Sequence, residues 1–288
     1  MNDELSTCVI SICSLRHEHV WKLTSQLLPR FIQAQEFVVY VPEDELEKFL
    51  EITDPAIKVL SQSLLGFGYD SNLKSKIESV GNSQRYGWYL QQFYKIEAVS
   101  RSTSDISVIW DADCVPVKKI ELIDSNQKLI YMNASEEINP LYFLVIESLL
   151  GMGRVQNQSF VVPGFPILRR WIHEFIKHVE LYNEGLNWYD AIISCTDFSH
   201  KSGFSETETL GTWIANSYPN SWVTKKVVWE RRGQNRFGYA KNFNIDQLIK
   251  LGERENLEII SFENWDLRGW RLNLKRLRNR FLPLSLRT

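Results

Sequence analysis

The sequence predicts an α/β fold, in which a mostly parallel central sheet is flanked by helices in one domain over residues 1–265. Short apolar segments alternate with amphipathic segments of helical spacing, and this alternation is typical of βα units. The 288 residues include 44% hydrophobic and 24% charged positions, which is an ordinary globular composition with enough length for a substantial core.

The first part of the chain carries this alternation most clearly. We predict strands at residues 7–13, 36–41 and 57–60 and helices at 17–31 and 43–50, with Pro42 ending the second strand. The polar, glycine-containing residues 66–71 are predicted to form a loop. Strands that alternate with helices pair in parallel, because each helix runs back along the sheet and the next strand starts from the same end as the strand before it.

A buried strand followed by two carboxylates is the feature around which the chain is organised. Residues 106–110 are apolar and lead directly into Asp111-Ala112-Asp113, hereafter the D-x-D. Ligands of α/β sheets bind beyond the carboxyl ends of the strands. Two hard oxygen ligands at this place suit Mg²⁺ or Mn²⁺ holding a diphosphate. The alternative is an aspartate-rich turn that only closes the strand.

The segment before this strand, residues 84–99, is predicted to be a helix with a polar stripe. Gln84, Trp88, Gln91 and Lys95 recur on one side of it at helical spacing. Two glutamines and a tryptophan are unusual for a solvated face, so this stripe is predicted to face a nucleotide.

The later part of the chain contains a second group of acids. Ser205-x-x-Glu208 has the spacing of a capping box at a helix start, which gives Glu208 a structural role. Glu206 has no such role; it is either an acid that stabilises the helix dipole or a general base. Strands are predicted at 128–132, 159–162, 226–229 and 257–262, and helices at 142–150, 167–182 and 245–251, with a break at 163–166.

Three motifs together resemble a group of bacterial glycosyltransferase-like proteins of the GT-A superfamily. They are Arg85-x-Gly-Trp-Tyr-x-Gln-Gln-x-x-Lys95, the D-x-D, and Phe204-Ser-Glu-x-Glu208. The resemblance implies a GT-A-like domain that moves a sugar from a nucleotide-sugar donor to a hydroxyl of a glycan or lipid-linked glycan, in surface polysaccharide or lipopolysaccharide synthesis. It implies a Mn²⁺ or Mg²⁺ cofactor bound by Asp111 and Asp113 and catalytic carboxylates at Glu206 and Glu208. The implied donor-binding residues are Ser11, Ser14, Arg85, Gln91, Lys95, Asp111, Ala112 and Asp113.

Two functions from other classes remain open at this stage. A nucleotidyltransferase would use similar metal-binding carboxylates, but it would normally carry a glycine-rich, basic phosphate loop near the first strand, and the sequence has none there. A catalytically inactive protein that binds a nucleotide or a sugar would keep the fold without turnover.

Charge and targeting signals limit the partners and the location. The formal net charge of −2 argues against a nucleic-acid binder. We see no signal peptide and no membrane-spanning segment, so a cytoplasmic location is expected. Residues 266–288 hold seven basic residues and one acid. Trp270, Leu274, Leu277 and Phe281 recur there at helical spacing, which predicts a basic amphipathic helix that contacts the inner face of the membrane or docks on the acidic body.

Overall fold

The computed structural model describes residues 5–66, 69–134 and 137–263. The strands are β1 Thr7–Ile12, β2 Glu36–Val41, β3 Lys58–Ser61, β4 Ile106–Trp110, β5 Cys114–Pro116, β6 Leu129–Asn133, β7 Gly164–Leu168, β8 Trp222–Lys226, β9 Trp229–Glu230 and β10 Ile259–Ser261. The helices are α1 Glu18–Phe31, α2 Leu46–Ile52, α3 Tyr69–Ser79, α4 Tyr86–Arg101, α5 Pro140–Leu150, α6 Arg169–Tyr182, α7 Trp188–Cys195, α8 Glu206–Ser217, α9 Gly233–Phe237 and α10 Ile245–Arg254.

The central sheet has five strands in the order β3-β2-β1-β4-β7. The first four strands run parallel, and β7 pairs antiparallel with β4 at one edge. Every residue of β1 and β4 is buried, as expected for inner strands covered by helices on both faces. The predicted α/β class is therefore confirmed, with a mixed and mostly parallel central sheet flanked by helices.

The connection before α6 differs from the prediction. Residues 159–162 are not a strand, and the predicted break at 163–166 instead contributes to β7. Pro166 is tolerated in β7 because this strand lies at the sheet edge, where a residue without an amide hydrogen need not pair on its outer side. The helix that follows begins at Arg169 rather than at residue 167.

Other elements also differ from the sequence prediction. Helix α3 begins at Tyr69 inside the predicted loop. The strand predicted at 226–229 is divided, because Lys226 ends β8, Trp229 begins β9 and residues 227–228 lie between them. The predicted C-terminal helix at 266–288 lies outside the described residues. In the described parts of the chain, no helix has both the length and the apolar character needed to cross a membrane.

Two apolar clusters support the region around the D-x-D. The larger one fills both faces of the central sheet and includes the fully buried Trp110, the last residue of β4. The smaller one lies between α1, α10 and the second sheet, whose strand order is β5-β10-β9. Because β5 follows the D-x-D directly and pairs with β10, the end of the described chain returns to the D-x-D.

Candidate active site

The D-x-D lies in a tight turn at the carboxyl end of β4. The Asp111 amide donates to the Pro163 carbonyl at 2.9 Å, and the Cys114 amide donates to the Asp111 carbonyl at 3.0 Å. Ser11, a predicted donor-binding residue, is buried and donates its hydroxyl to the Trp110 carbonyl at 2.9 Å. The turn is therefore fixed by main-chain bonds on both sides, and the two aspartates lie where α/β sheets bind ligands.

Lys95 joins the first aspartate to Glu206. Its Nζ donates to Asp111 Oδ1 at 2.6 Å and to Glu206 Oε1 at 2.7 Å. Burial disfavours the charged ammonium, but the two carboxylates outweigh this effect and hold the pKa of Lys95 above its ordinary value. Three residues predicted separately from the sequence are thus in direct contact, and they come from α4, the end of β4 and the start of α8.

Asp113, the second aspartate, has a different environment. Burial is the largest cause of its raised pKa; the nearby His17 favours the charged form, and the negative charge of Asp111 opposes it. His17 Nδ1 lies 3.7 Å from Asp113 Oδ2, which is too long for a hydrogen bond. The Asp113 side chain is 21% exposed and that of Asp111 is 37% exposed, so both carboxylates can be reached from solvent.

Glu263 is a third carboxylate beside the D-x-D that the sequence analysis missed. Burial and then the charge of Asp113 raise its pKa to about 8. Its Oε1 accepts from Arg231 Nε at 3.4 Å, and Arg231 also forms an ion pair with Glu137. Glu263 follows β10 just as the D-x-D follows β4, so an acid at the end of an apolar strand was the available signal. The Phe262 amide donates to the Asp113 carbonyl at 2.9 Å and places Glu263 there.

Glu206 is held at both its main chain and its side chain. It is the first residue of α8, and its amide donates to Gln92 Oε1 at 3.2 Å. Its carboxylate accepts from Lys95, one turn further along α4 than Gln92. The Glu206 side chain is only 6% exposed, so a ligand that reaches it must enter from the more open side, at Asp111.

Glu208 lies in the same helical turn but has different partners. Ser205 is the N-cap of α8 and accepts from the Glu208 amide at 3.3 Å, as predicted. The Glu208 carboxylate does not complete the capping box. Its Oε2 accepts from the Phe160 amide at 2.8 Å and from the Ser159 hydroxyl at 2.9 Å, so it holds the segment before β7. Burial raises the pKa of Glu208.

The start of α4 contacts the loop before α8. The Tyr89 hydroxyl donates to the His200 carbonyl at 2.9 Å and accepts from the Gly203 amide at 2.8 Å. Arg85 Nε donates to the Lys201 carbonyl at 2.7 Å. These bonds, with those of Gln92 and Lys95, attach α4 to the loop and to the first residue of α8.

The remaining predicted residues are less directly connected to the carboxylates. Gln91 is half-buried on α4, and Ser14 is half-buried just after β1, where its carbonyl accepts from the His17 amide at 2.9 Å. Ala112 is 8% exposed between the two aspartates. The structure therefore brings Asp111, Lys95 and Glu206 together and places Ser14 and Gln91 outside that contact.

The donor set at the D-x-D is compatible with a divalent cation. Among the described residues, no group of three or more His, Cys, Asp or Glu side chains has the arrangement of a metal site. A cation bound by two carboxylates that takes its other ligands from phosphate and water needs no third side chain, which is the usual Mg²⁺ arrangement. Asp113 Oδ1 accepts a weak bond from the Cys114 thiol at 3.6 Å, and the described part of the chain places no nitrogen donor within hydrogen-bond distance of the carboxylate, so Asp113 can still bind a cation.

Comparison with known proteins places the chain in one family and gives no function. No curated protein matches the chain. Residues 16–207 match a family of unknown function named DUF6492, and this span contains α1 through α7, the D-x-D, Lys95 and Glu206. The match covers more than half of the 288 residues. The chain is therefore a member of the DUF6492 family.

Proposed function

We propose that this protein is a glycosyltransferase of the GT-A type that transfers a sugar from a nucleotide-sugar to a hydroxyl acceptor. The observation that carries this proposal is the contact of Asp111, Lys95 and Glu206 at the carboxyl end of β4. It combines a D-x-D at the ligand-binding edge of an α/β sheet with a further carboxylate held in a fixed position. The motif resemblance described above supports the same assignment.

In this proposal, Asp111 and Asp113 bind the cation and, through it, the donor diphosphate. A bound Mn²⁺ or Mg²⁺ offsets the negative charge that develops on the leaving diphosphate. The two aspartates are partly exposed and Glu206 is nearly enclosed, so the diphosphate lies on the open side and the reacting sugar points inward.

Glu206 is the proposed catalytic base. Its carboxylate removes the proton from the acceptor hydroxyl as that oxygen attacks the anomeric carbon. Gln92 and Lys95 fix its main chain and side chain, which provides the positional precision that such a step needs. Glu208 binds Ser159 and Phe160 through its carboxylate, and we assign it a structural role rather than a catalytic one.

The acceptor and the location belong to the same proposal. The acceptor is the hydroxyl of a glycan or lipid-linked glycan in bacterial surface polysaccharide synthesis. The enzyme acts in the cytoplasm, at the inner face of the membrane. The basic residues 266–288 would favour contact with anionic lipid.

Ligand binding tests the proposal before any acceptor is known. Melting temperatures are measured with a panel of nucleotide-sugars, with and without Mn²⁺, because a ligand that binds only the folded state raises the melting temperature. We expect a rise for at least one nucleotide-sugar, only when Mn²⁺ is present. Asp113→Asn should abolish the rise, and Asp246→Asn, an exposed change in α10, should keep it.

Product analysis separates the proposal from its alternatives. Release of a nucleoside diphosphate with transfer of the sugar supports it, whereas release of pyrophosphate indicates nucleotidyl transfer. Binding that is equal in the wild type and in Asp113→Asn refutes the role of the D-x-D. Binding without turnover on any glycan acceptor would identify an inactive binding protein.

A further inference from the structure

Lys95 is enclosed between two carboxylates that belong to separate elements. The side chain is 8% exposed, and both short bonds of its Nζ go to carboxylate oxygens, one of Asp111 and one of Glu206. These two bonds use two of the three donors of the ammonium, so at most one donor of a nearly enclosed group remains for a ligand. Its position is therefore better suited to holding protein groups than to binding a ligand directly.

The ammonium also connects the proposed base to the proposed cation site. Glu206 Oε1 and Asp111 Oδ1 are bound to the same nitrogen, so their distance is limited by the geometry of one ammonium group. The main chains of the two acids are fixed independently, Asp111 by the Pro163 carbonyl and Glu206 by Gln92. Lys95 determines where the two side chains point relative to one another.

A positive charge at this position also acts on any cation at the D-x-D. A divalent cation bound to Asp111 would lie within a few ångströms of the ammonium, where like charges repel strongly in a partly buried site. Glu206 offsets part of this repulsion because it shares the ammonium. Lys95 and Glu206 should therefore change the cation affinity in opposite directions.

We propose that Lys95 is a positioning residue that holds Glu206 at the D-x-D and whose charge weakens the affinity of the D-x-D for a divalent cation. This inference rests on the proposed function in one respect, namely that Asp111 and Asp113 bind such a cation. It adds that cation affinity and base position depend on the same side chain. With Lys95 present, the D-x-D therefore binds its cation tightly only when the donor diphosphate contributes further negative charge.

Titration calorimetry with Mn²⁺ alone tests the inference without donor or acceptor. Lys95→Met should bind Mn²⁺ at least tenfold more tightly than the wild type, because the competing charge is removed. Glu206→Gln should bind Mn²⁺ at least threefold more weakly, because Lys95 then pairs with Asp111 alone. Lys48→Met, which removes an exposed ammonium paired with Glu51, should leave the affinity unchanged.

A double-mutant cycle tests whether the two side chains act together. In the Lys95→Met background, Glu206→Gln should change the Mn²⁺ affinity by a different factor than in the wild type, because residues in direct contact are not additive. Lys95→Met should also lose most of its turnover, since Glu206 is no longer held. Tighter Mn²⁺ binding combined with lost turnover is a result that a merely structural lysine would not give.

The outcomes that overturn the inference are separate from those that overturn the function. If the wild type binds Mn²⁺ and Lys95→Met binds it equally or more weakly, only the role of Lys95 is wrong. If Lys95→Met does not fold, Glu206→Gln decides, and an unchanged Mn²⁺ affinity in that variant refutes the inference. If neither the wild type nor any folded variant binds Mn²⁺, both the inference and the cation role of the D-x-D are wrong.

Discussion

Replacing Glu208 tests whether this acid supports the site or takes part in catalysis. Glu208→Ala removes the acceptor for two buried donors, the Phe160 amide and the Ser159 hydroxyl. An unsatisfied buried donor costs about 1–3 kcal/mol, and the hydroxyl can rotate to another acceptor whereas the amide cannot. We expect a loss of roughly 2–4 kcal/mol in the free energy of unfolding, measured by urea denaturation.

Glu208→Gln keeps an acceptor oxygen and removes the buried charge. In the wild type, Glu208 Oε1 is buried without a hydrogen-bond partner in the described part of the chain, and burial raises the pKa of the group. A raised folded-state pKa gives a stabilising contribution that is present below the ordinary glutamate pKa and is lost as the pH rises through the folded value. The wild type should therefore lose stability relative to Glu208→Gln as the pH increases from about 4 to neutrality.

The assay compares both variants and the wild type by urea unfolding from pH 4 to pH 8 at constant ionic strength. The other titrating groups are common to the wild type and Glu208→Gln, so the difference between their unfolding free energies isolates Glu208. The reasoning is refuted if that difference does not change with pH, or if Glu208→Ala costs less than about 0.5 kcal/mol. With substrates identified, Glu208→Gln should retain turnover, whereas Glu206→Gln should lose it.

Further predictions concern the helices and the tail. Gly211→Ala should destabilise the fold by about 1–3 kcal/mol, because a Cβ there would overlap the Phe160 ring, whereas Gly87→Ala in open space should be neutral or stabilising by up to about 1 kcal/mol. Equal melting temperatures for the two variants would contradict this. Tyr89→Phe should cost about 1–2 kcal/mol and speed tryptic cleavage after Lys201, since the loop loses two bonds. Unchanged cleavage would show that the loop is held by other contacts. Deleting residues 266–288 should abolish flotation with anionic vesicles at low salt; an intact chain that ignores such vesicles would refute membrane contact.

The sequence was sufficient to predict the inner part of the sheet. Strands β1, β2 and β4 are short, apolar and bounded by polar residues or proline, and buried parallel strands require this pattern. The position of the D-x-D at the end of β4 followed from the same pattern. The role of Ser205 as an N-cap also followed, because capping is a local interaction between residues close in sequence.

The errors arose where contacts between distant residues override local preference. Residues 159–162 are apolar enough for a strand, but the Phe160 amide and the Ser159 hydroxyl are bound by Glu208, so local pattern alone could not reveal their conformation. Residues 163–166 contain two prolines and glycine, yet pairing with β4 extends this segment into β7. Tertiary pairing commonly overrides β propensity in this way.

Contacts between distant residues also determine the partners of single side chains around the D-x-D, and local sequence patterns do not predict such contacts. The periodicity of α4 indicated a polar stripe but could not tell whether it faces a ligand or another part of the chain. Tyr89 and Arg85 bind the loop before α8, a contact that spans more than a hundred residues of sequence. Glu263 was missed for the same reason, because only the pairing of β10 with β5 brings it beside Asp113.

The bond between Lys95 and Glu206 also has a consequence for how the protein folds. It closes a loop of 111 residues, whereas the bond between Lys95 and Asp111 closes one of 16. Closing a long loop costs entropy before its contacts are gained, so the second bond should form late during folding. Until α8 docks, Lys95 can bind Asp111 but not Glu206. Partly folded chains therefore have the D-x-D but lack the proposed base beside it. Only chains that have completed this last step can carry out the proposed reaction.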